Sequence, residues 1–106
     1  MKKYHVQITD EALRDMDKLY QYIADTLLEP DHAIGQYNRI ADAILTLDEF
    51  PERFRLMESD LEKAHGIHRM IVDHYSVFYV IEENMVYVTD VLYSASDLES
   101  RLKAKY

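Results

Sequence analysis

The chain opens with apolar and polar residues alternating. Tyr4, Val6 and Ile8 fall on one side and His5 and Gln7 on the other, the two-residue period of a strand from Tyr4 to Thr9. The period then lengthens. Ala12, Leu13, Met16, Leu19, Tyr20, Ile23, Ala24 and Leu27 recur at helical spacing and predict one long amphipathic helix. Arg14, Asp15, Asp17, Lys18, Gln21 and Asp25 fall off that stripe and are expected in solvent. Thr9 or Asp10 stands where a cap is needed, and Asp10 and Glu11 suit the positive end of the helix.

Pro30-Asp31 breaks and restarts the pattern, with Asp31 as the expected cap. Ala33, Ile34, Tyr37, Ile40, Ala41, Ile44 and Leu45 form a second stripe, extended by Leu47 and stopped by Phe50-Pro51. Two amphipathic helices joined by a short turn predict an αα-hairpin. Residues 52–65 are polar and irregular apart from Phe54, Leu56, Met57 and Leu61, expected to pin a loop.

Beyond them the period returns to two. Ile67 to Val72, Val77 to Ile81 and Met85 to Tyr93 are rich in Val, Ile, Tyr and Phe, with turn candidates at Asp73-His74 and Glu82-Glu83-Asn84. Three consecutive strands at this spacing predict an antiparallel meander, and Asp97 to Lys105 predicts a short tail helix. The order β-α-α-β-β-β is an α+β architecture. The helical hairpin is expected on one face of a mostly antiparallel sheet whose other face stays open to a partner. With 106 residues, no repeat and no linker, residues 1–106 form one expected domain.

Composition narrows the classes. There is no cysteine, which excludes disulfides and thiolate chemistry and fits a reducing cytoplasm. No signal-peptide core is visible, and no window approaches the roughly 18 apolar residues of a membrane span. The net charge is −8, unevenly spread: residues 1–50 carry 10 acids against 5 bases, and residues 51–75 carry 5 against 4 with three histidines. Such a chain lacks the broad basic face that non-specific nucleic-acid binding uses. His65-x-x-His68 and His74 suggest a metal, but residues three apart on a strand point to opposite faces, so neither metal nor cofactor is expected.

Several segments together carry a resemblance. They are Thr9 followed by Ala12, Tyr20-x-x-Ile23-Ala24, Ala33 with the run Ile40 to Leu47, and Leu47-Asp48-Glu49-Phe50-Pro51. Gly66-Ile67-His68-Arg69, Tyr75 to Ile81 and Val86 to Tyr93 complete the set. In this order they resemble the RelE/ParE superfamily of toxins from type II toxin–antitoxin systems, also described as plasmid-stabilisation proteins, and are nearer the ParE-like branch. The resemblance implies a growth-inhibiting bacterial toxin held inactive by a cognate antitoxin protein. It also implies one of two activities: inhibition of DNA gyrase by binding, or ribosome-dependent cleavage of messenger RNA.

A metal-free nuclease must activate a 2′-hydroxyl, balance charge on the phosphate and protonate the leaving oxygen. The resemblance assigns that work to Arg55, His65, Arg69 and Tyr93, with Arg53 as a second loop arginine. The departures are Ser76, where such nucleases often carry an arginine, and the segment Tyr93-Ser94-Ala95-Ser96-Asp97, which lacks a basic residue. A structural role for Arg69, paired with an acid such as Asp90, competes with the catalytic one. Among nine tyrosines, Tyr20 and Tyr37 are expected in the core, and Tyr75, Tyr79 and Tyr87 are expected on an antitoxin-binding surface. The depleted basic cluster favours a toxin that binds a protein such as gyrase over a messenger-RNA endonuclease. A third reading is an orphan toxin that still binds antitoxin but poisons nothing.

Overall fold

The computed structural model describes residues 3–56, 65–93 and 95–105. Met57 and Leu61, expected to pin a loop, lie outside the described residues. Strand β1 (His5–Ile8) leads into helix α1 (Asp10–Gln21), and helix α2 (Pro30–Leu45) follows. Strands β2 (His68–Val72), β3 (Tyr75–Glu82) and β4 (Met85–Leu92) come next, and helix α3 (Ala95–Lys105) ends the chain. The sheet order is β1-β4-β3-β2. β2, β3 and β4 pair antiparallel as a meander, and β1 joins the other edge of β4 in parallel.

Local chemistry explains the boundaries. Thr9 caps α1, its hydroxyl accepting from the Ala12 N–H at 3.2 Å. Pro30, whose ring pre-sets φ and whose missing N–H goes unneeded there, opens α2. Asp31 therefore sits inside the first turn of α2 and is not its cap. The loops between strands are tight, with Asp73 and Glu83 each at positive φ. Thr89 is the extra residue of a bulge in β4, since Phe78 pairs with Asp90 while Tyr79 pairs with Val88.

The main core lies between the helical hairpin and one face of the sheet. Ala12, Met16, Leu19 and Ile23 meet Ala33, Ile40, Ile44 and Leu47 over Met70, Val77, Tyr79, Val86 and Val88. Tyr20 and Tyr37 pack at its margin as an edge-to-face pair, ring centroids 6.2 Å apart. The buried faces are narrower than the sequence stripes. Leu13, Leu27, Ile34 and Leu45, all expected inside, are exposed. Each helical residue advances about 100°, and on α2 the buried set is Ala33, Gln36, Ile40 and Ile44, which leaves Ile34 and Leu45 on its flanks. Asp15, expected in solvent, is buried instead.

The other face of the sheet is not left open. Leu98 and Leu102 of α3 pack on Ile67 and Phe78 in a second apolar cluster, with Val80 and Leu92 against it. The expectation of a free second face fails because the tail helix covers part of it. No described helix is long and apolar enough to cross a membrane.

Candidate functional site

Helix α1 does not run on to Leu27. It passes at Gln21 into a π-helical turn, Tyr22–Thr26, in which the Leu27 N–H donates to the Tyr22 carbonyl five residues back at 3.1 Å. The extra residue in that turn shifts the phase of the apolar stripe. Ile23 stays in the core, while Tyr22 and Leu27 turn outward at 53% and 47% exposure. Both line a groove of about 660 Å³.

The far wall of that groove comes from the end of the sheet. Tyr75 and Tyr93 meet edge to face with centroids 5.7 Å apart, and Val91 and Leu92 lie beside them. Tyr75 is half-buried, and burial raises its hydroxyl pKa. Lys18, His32 and His74 also line the groove. Beside it the Asp73 carboxylate, at the β2–β3 turn, accepts from Arg39 at 2.8 Å and Gln36 at 3.0 Å, which fixes the turn against α2. The Arg39 bond is the first cause of a lowered Asp73 pKa.

One corner of the groove is ionic. The Arg101 guanidinium of α3 forks onto Asp15, Nη1 to Oδ2 at 2.8 Å and Nη2 to Oδ1 at 2.9 Å. The same Nη1 lies 2.8 Å from Asp90 and 2.9 Å from Glu11. Asp15 also accepts from the Val91 N–H at 3.0 Å. One cation thus answers three carboxylates, and Asp15 and Asp90 are almost fully buried. Burial raises the Asp90 pKa, and the bond to Asp15 raises that of Arg101.

The residues assigned to a nuclease are not all brought to one groove, although Arg55 and Arg69 are joined through their backbones. Arg69 donates from Nε to the Ser76 hydroxyl at 2.8 Å on the neighbouring strand, and Asp90, its expected partner, is held by Arg101. Arg55 is exposed in the segment before β2, where its carbonyl accepts from the Arg69 N–H. His65 lines a smaller hollow with Thr89 and Asp90. Tyr93 is the only one of the four that lines the large groove. Arg53 instead caps the end of the helical hairpin, donating to the carbonyls of Thr46, Glu49 and Phe50.

The three tyrosines expected at a partner surface divide as well. Tyr79 is fully buried, donates to the Pro51 carbonyl at 2.6 Å and stacks on His68, so it offers no contact surface in this conformation. Tyr87 is half-buried on β4 beside Gln7, away from the groove lining. Tyr75 alone of the three lines the groove. Tyr22, Leu27 and Arg101 also line the groove, and none of them stands out as a site residue in the sequence. Their signals were faint: Tyr22 lies off the α1 stripe, and Asp15 beside Met16 is an acid near its centre.

The family described as "ParE toxin of type II toxin-antitoxin system, parDE" matches residues 6–98. The chain belongs to the ParE toxin family. It is therefore a toxin of the type II toxin–antitoxin class within the RelE/ParE superfamily. The fold agrees. The structure of a chromosomal ParDE toxin–antitoxin system from P. aeruginosa aligns with a TM-score of 0.73 at 15% identity, over 86% of this chain and 96% of that one. The RelBE2 toxin–antitoxin complex of Mycobacterium tuberculosis aligns with a TM-score of 0.61 at 20% identity, over 87% and 99%. A comparison with curated proteins found no match. At such identities the neighbours establish the ParE-family fold and leave residue roles to the geometry of this chain.

Proposed function

We propose that this ParE-family chain arrests growth by binding a protein target, with DNA gyrase the first candidate, and that a cognate antitoxin neutralises it. The observation that carries the reading is the dispersal of the nuclease residues. Acid–base cleavage of RNA needs its groups within hydrogen-bond reach of one phosphate. Here Arg69 is tied to Ser76, His65 faces a separate hollow, and Tyr93 stands in a groove whose lining is mostly apolar. A tyrosine-rich apolar surface suits protein contact.

The test is direct. Induced expression should stop growth, co-expression of the antitoxin should restore it, and the purified chain should inhibit gyrase supercoiling at micromolar concentration. Inert behaviour in the supercoiling assay, together with Arg69-dependent cleavage of messenger RNA on ribosomes, would overturn the proposal in favour of a RelE-like endonuclease. No growth arrest at all would identify an orphan.

A further inference from the structure

The turn that follows α2 holds a strained residue whose side chain faces solvent. Phe50 has φ 47° and ψ 53°, the left-handed region, which a bulky side chain adopts only at a cost in energy. No burial offsets that cost: the ring is 59% exposed, while the next residue, Pro51, is fully buried. The backbone on both sides of it is fixed. Arg53 donates to the carbonyls of Thr46, Glu49 and Phe50, and the Tyr4 N–H donates to the Asp48 carbonyl. The buried Tyr79 hydroxyl donates to the Pro51 carbonyl. Strain that the surroundings over-determine in this way points to a role other than packing. Leu45, the last residue of α2, adds a second large apolar side chain at this end of the hairpin and is 66% exposed.

Charge frames the ring. Asp48, Glu49 and Glu52 all stand within two positions of Phe50. Lys3 reaches Asp48 at 3.4 Å and Glu49 at 2.6 Å, yet both carboxylate side chains stay 42% exposed. Arg53, the cation of the turn itself, is bound to backbone carbonyls. None of residues 45–54 lines the large groove. The 16 residues of α2, about 24 Å of helix, separate this turn from Leu27. We infer that Phe50 is the anchor with which this toxin holds its protein target: the ring enters an apolar pocket, and basic side chains around that pocket face Asp48, Glu49 and Glu52. The inference rests on the functional reading above and adds to it the residue and the chemistry of the target contact. A ring fixed in place before binding loses little freedom on contact, and aromatic anchors ringed by polar groups dominate many protein interfaces. A second copy of this chain does not suit the surface. A symmetric contact through Phe50 would bring the three carboxylates against their own copies.

The experiment is induced expression of the full chain, with growth arrest as the readout and abundance checked by blotting, so the result does not depend on which protein is hit. Phe50→Gly and Phe50→Asn remove the ring and place residues at home in the left-handed region, so both should stay folded by circular dichroism. Each should raise the expression level needed for arrest at least tenfold. Their affinity for the purified antitoxin encoded beside the chain, measured by calorimetric titration, should stay within twofold of the wild type. Glu49→Gln keeps the shape, removes one rim charge and should weaken arrest several-fold. Ile71→Ser, a change at a residue of β2 that is 63% exposed, should arrest growth as the wild type does. Phe50 variants that arrest growth within twofold of the wild type would overturn the inference. So would variants that lose antitoxin affinity tenfold, since the ring would then belong to that contact. A wild type that cuts messenger RNA, or that arrests nothing, removes the functional reading itself, a result read from the wild type alone.

Discussion

At the scale of single residues, buried polar groups carry the information. The Tyr79 hydroxyl sits in the main core only because the Pro51 carbonyl accepts its proton, which ties the turn after α2 to the centre of the sheet. Asp90 is less well served. Burial raises its carboxyl pKa despite Arg101, so folding favours the neutral form more than the unfolded chain does. A group with a raised folded pKa contributes stability that is complete below its unfolded pKa and is lost as pH rises through the folded value. Asp90→Asn keeps an oxygen for Arg101 and removes the charge. The variant should therefore melt above the wild type at pH 7, and the gap should close toward about pH 4, where the ordinary carboxylate protonates. Thermal melts across that range decide it; a lower melting temperature at pH 7 would mean that the ion pair outweighs desolvation. At this scale the sequence was only partly readable. Tyr75 and Tyr93 were visible as strand aromatics, whereas Asp15 reads as a solvent residue. Its partner lies 86 positions away on a helix whose docking no local pattern predicts.

At the scale of elements, the turn between the first two helices concentrates the irregular backbone. The π turn exists to reset phase, and the chain then reverses through Leu28 at φ 56°, with the Glu29 N–H donating to the Ile23 carbonyl at 3.1 Å. Helix ends of this kind favour glycine, because an L side chain costs roughly 1–2 kcal/mol in the left-handed region. Leu28 is 79% exposed, so little packing is lost by removing its side chain. Leu28→Gly should stabilise the protein by about 0.5 kcal/mol, the relieved strain being partly offset by the greater unfolded freedom of glycine. It should appear as a higher urea midpoint at unchanged slope. Strands and helices themselves were legible, since Tyr4 to Ile8 and Met85 to Leu92 alternate and both helices carry strong stripes. The π turn was not, because a five-residue hydrogen bond leaves no residue signature. The covered second face was signalled only by Leu98 and Leu102, one helical turn apart in an otherwise polar tail.

At the scale of the whole molecule, Arg101 joins three elements that are far apart in sequence: Glu11 and Asp15 of α1, Asp90 of β4, and α3 itself. It also closes one corner of the groove. Removing one partner of a buried pair leaves the remaining charges unanswered, at a cost of about 3–5 kcal/mol. Arg101→Ala should lose stability on that scale in denaturant titrations. Arg101→Lys should fall between, since an ammonium keeps the charge but cannot fork onto both oxygens of Asp15 while reaching Asp90. Two structural accounts of the loss are separable by amide exchange. If the ionic corner chiefly seats α3, its amides should exchange far faster in Arg101→Lys while those of β3 keep their protection, because the main core between hairpin and sheet contains none of the described side chains of α3. If instead all amides lose protection together, the corner supports α1 and β4 directly and α3 is only its carrier. The first outcome is expected, because α3 packs on the sheet through Leu98 and Leu102 outside the main core, and an ammonium that cannot reach all three carboxylates leaves part of their mutual repulsion beneath that helix.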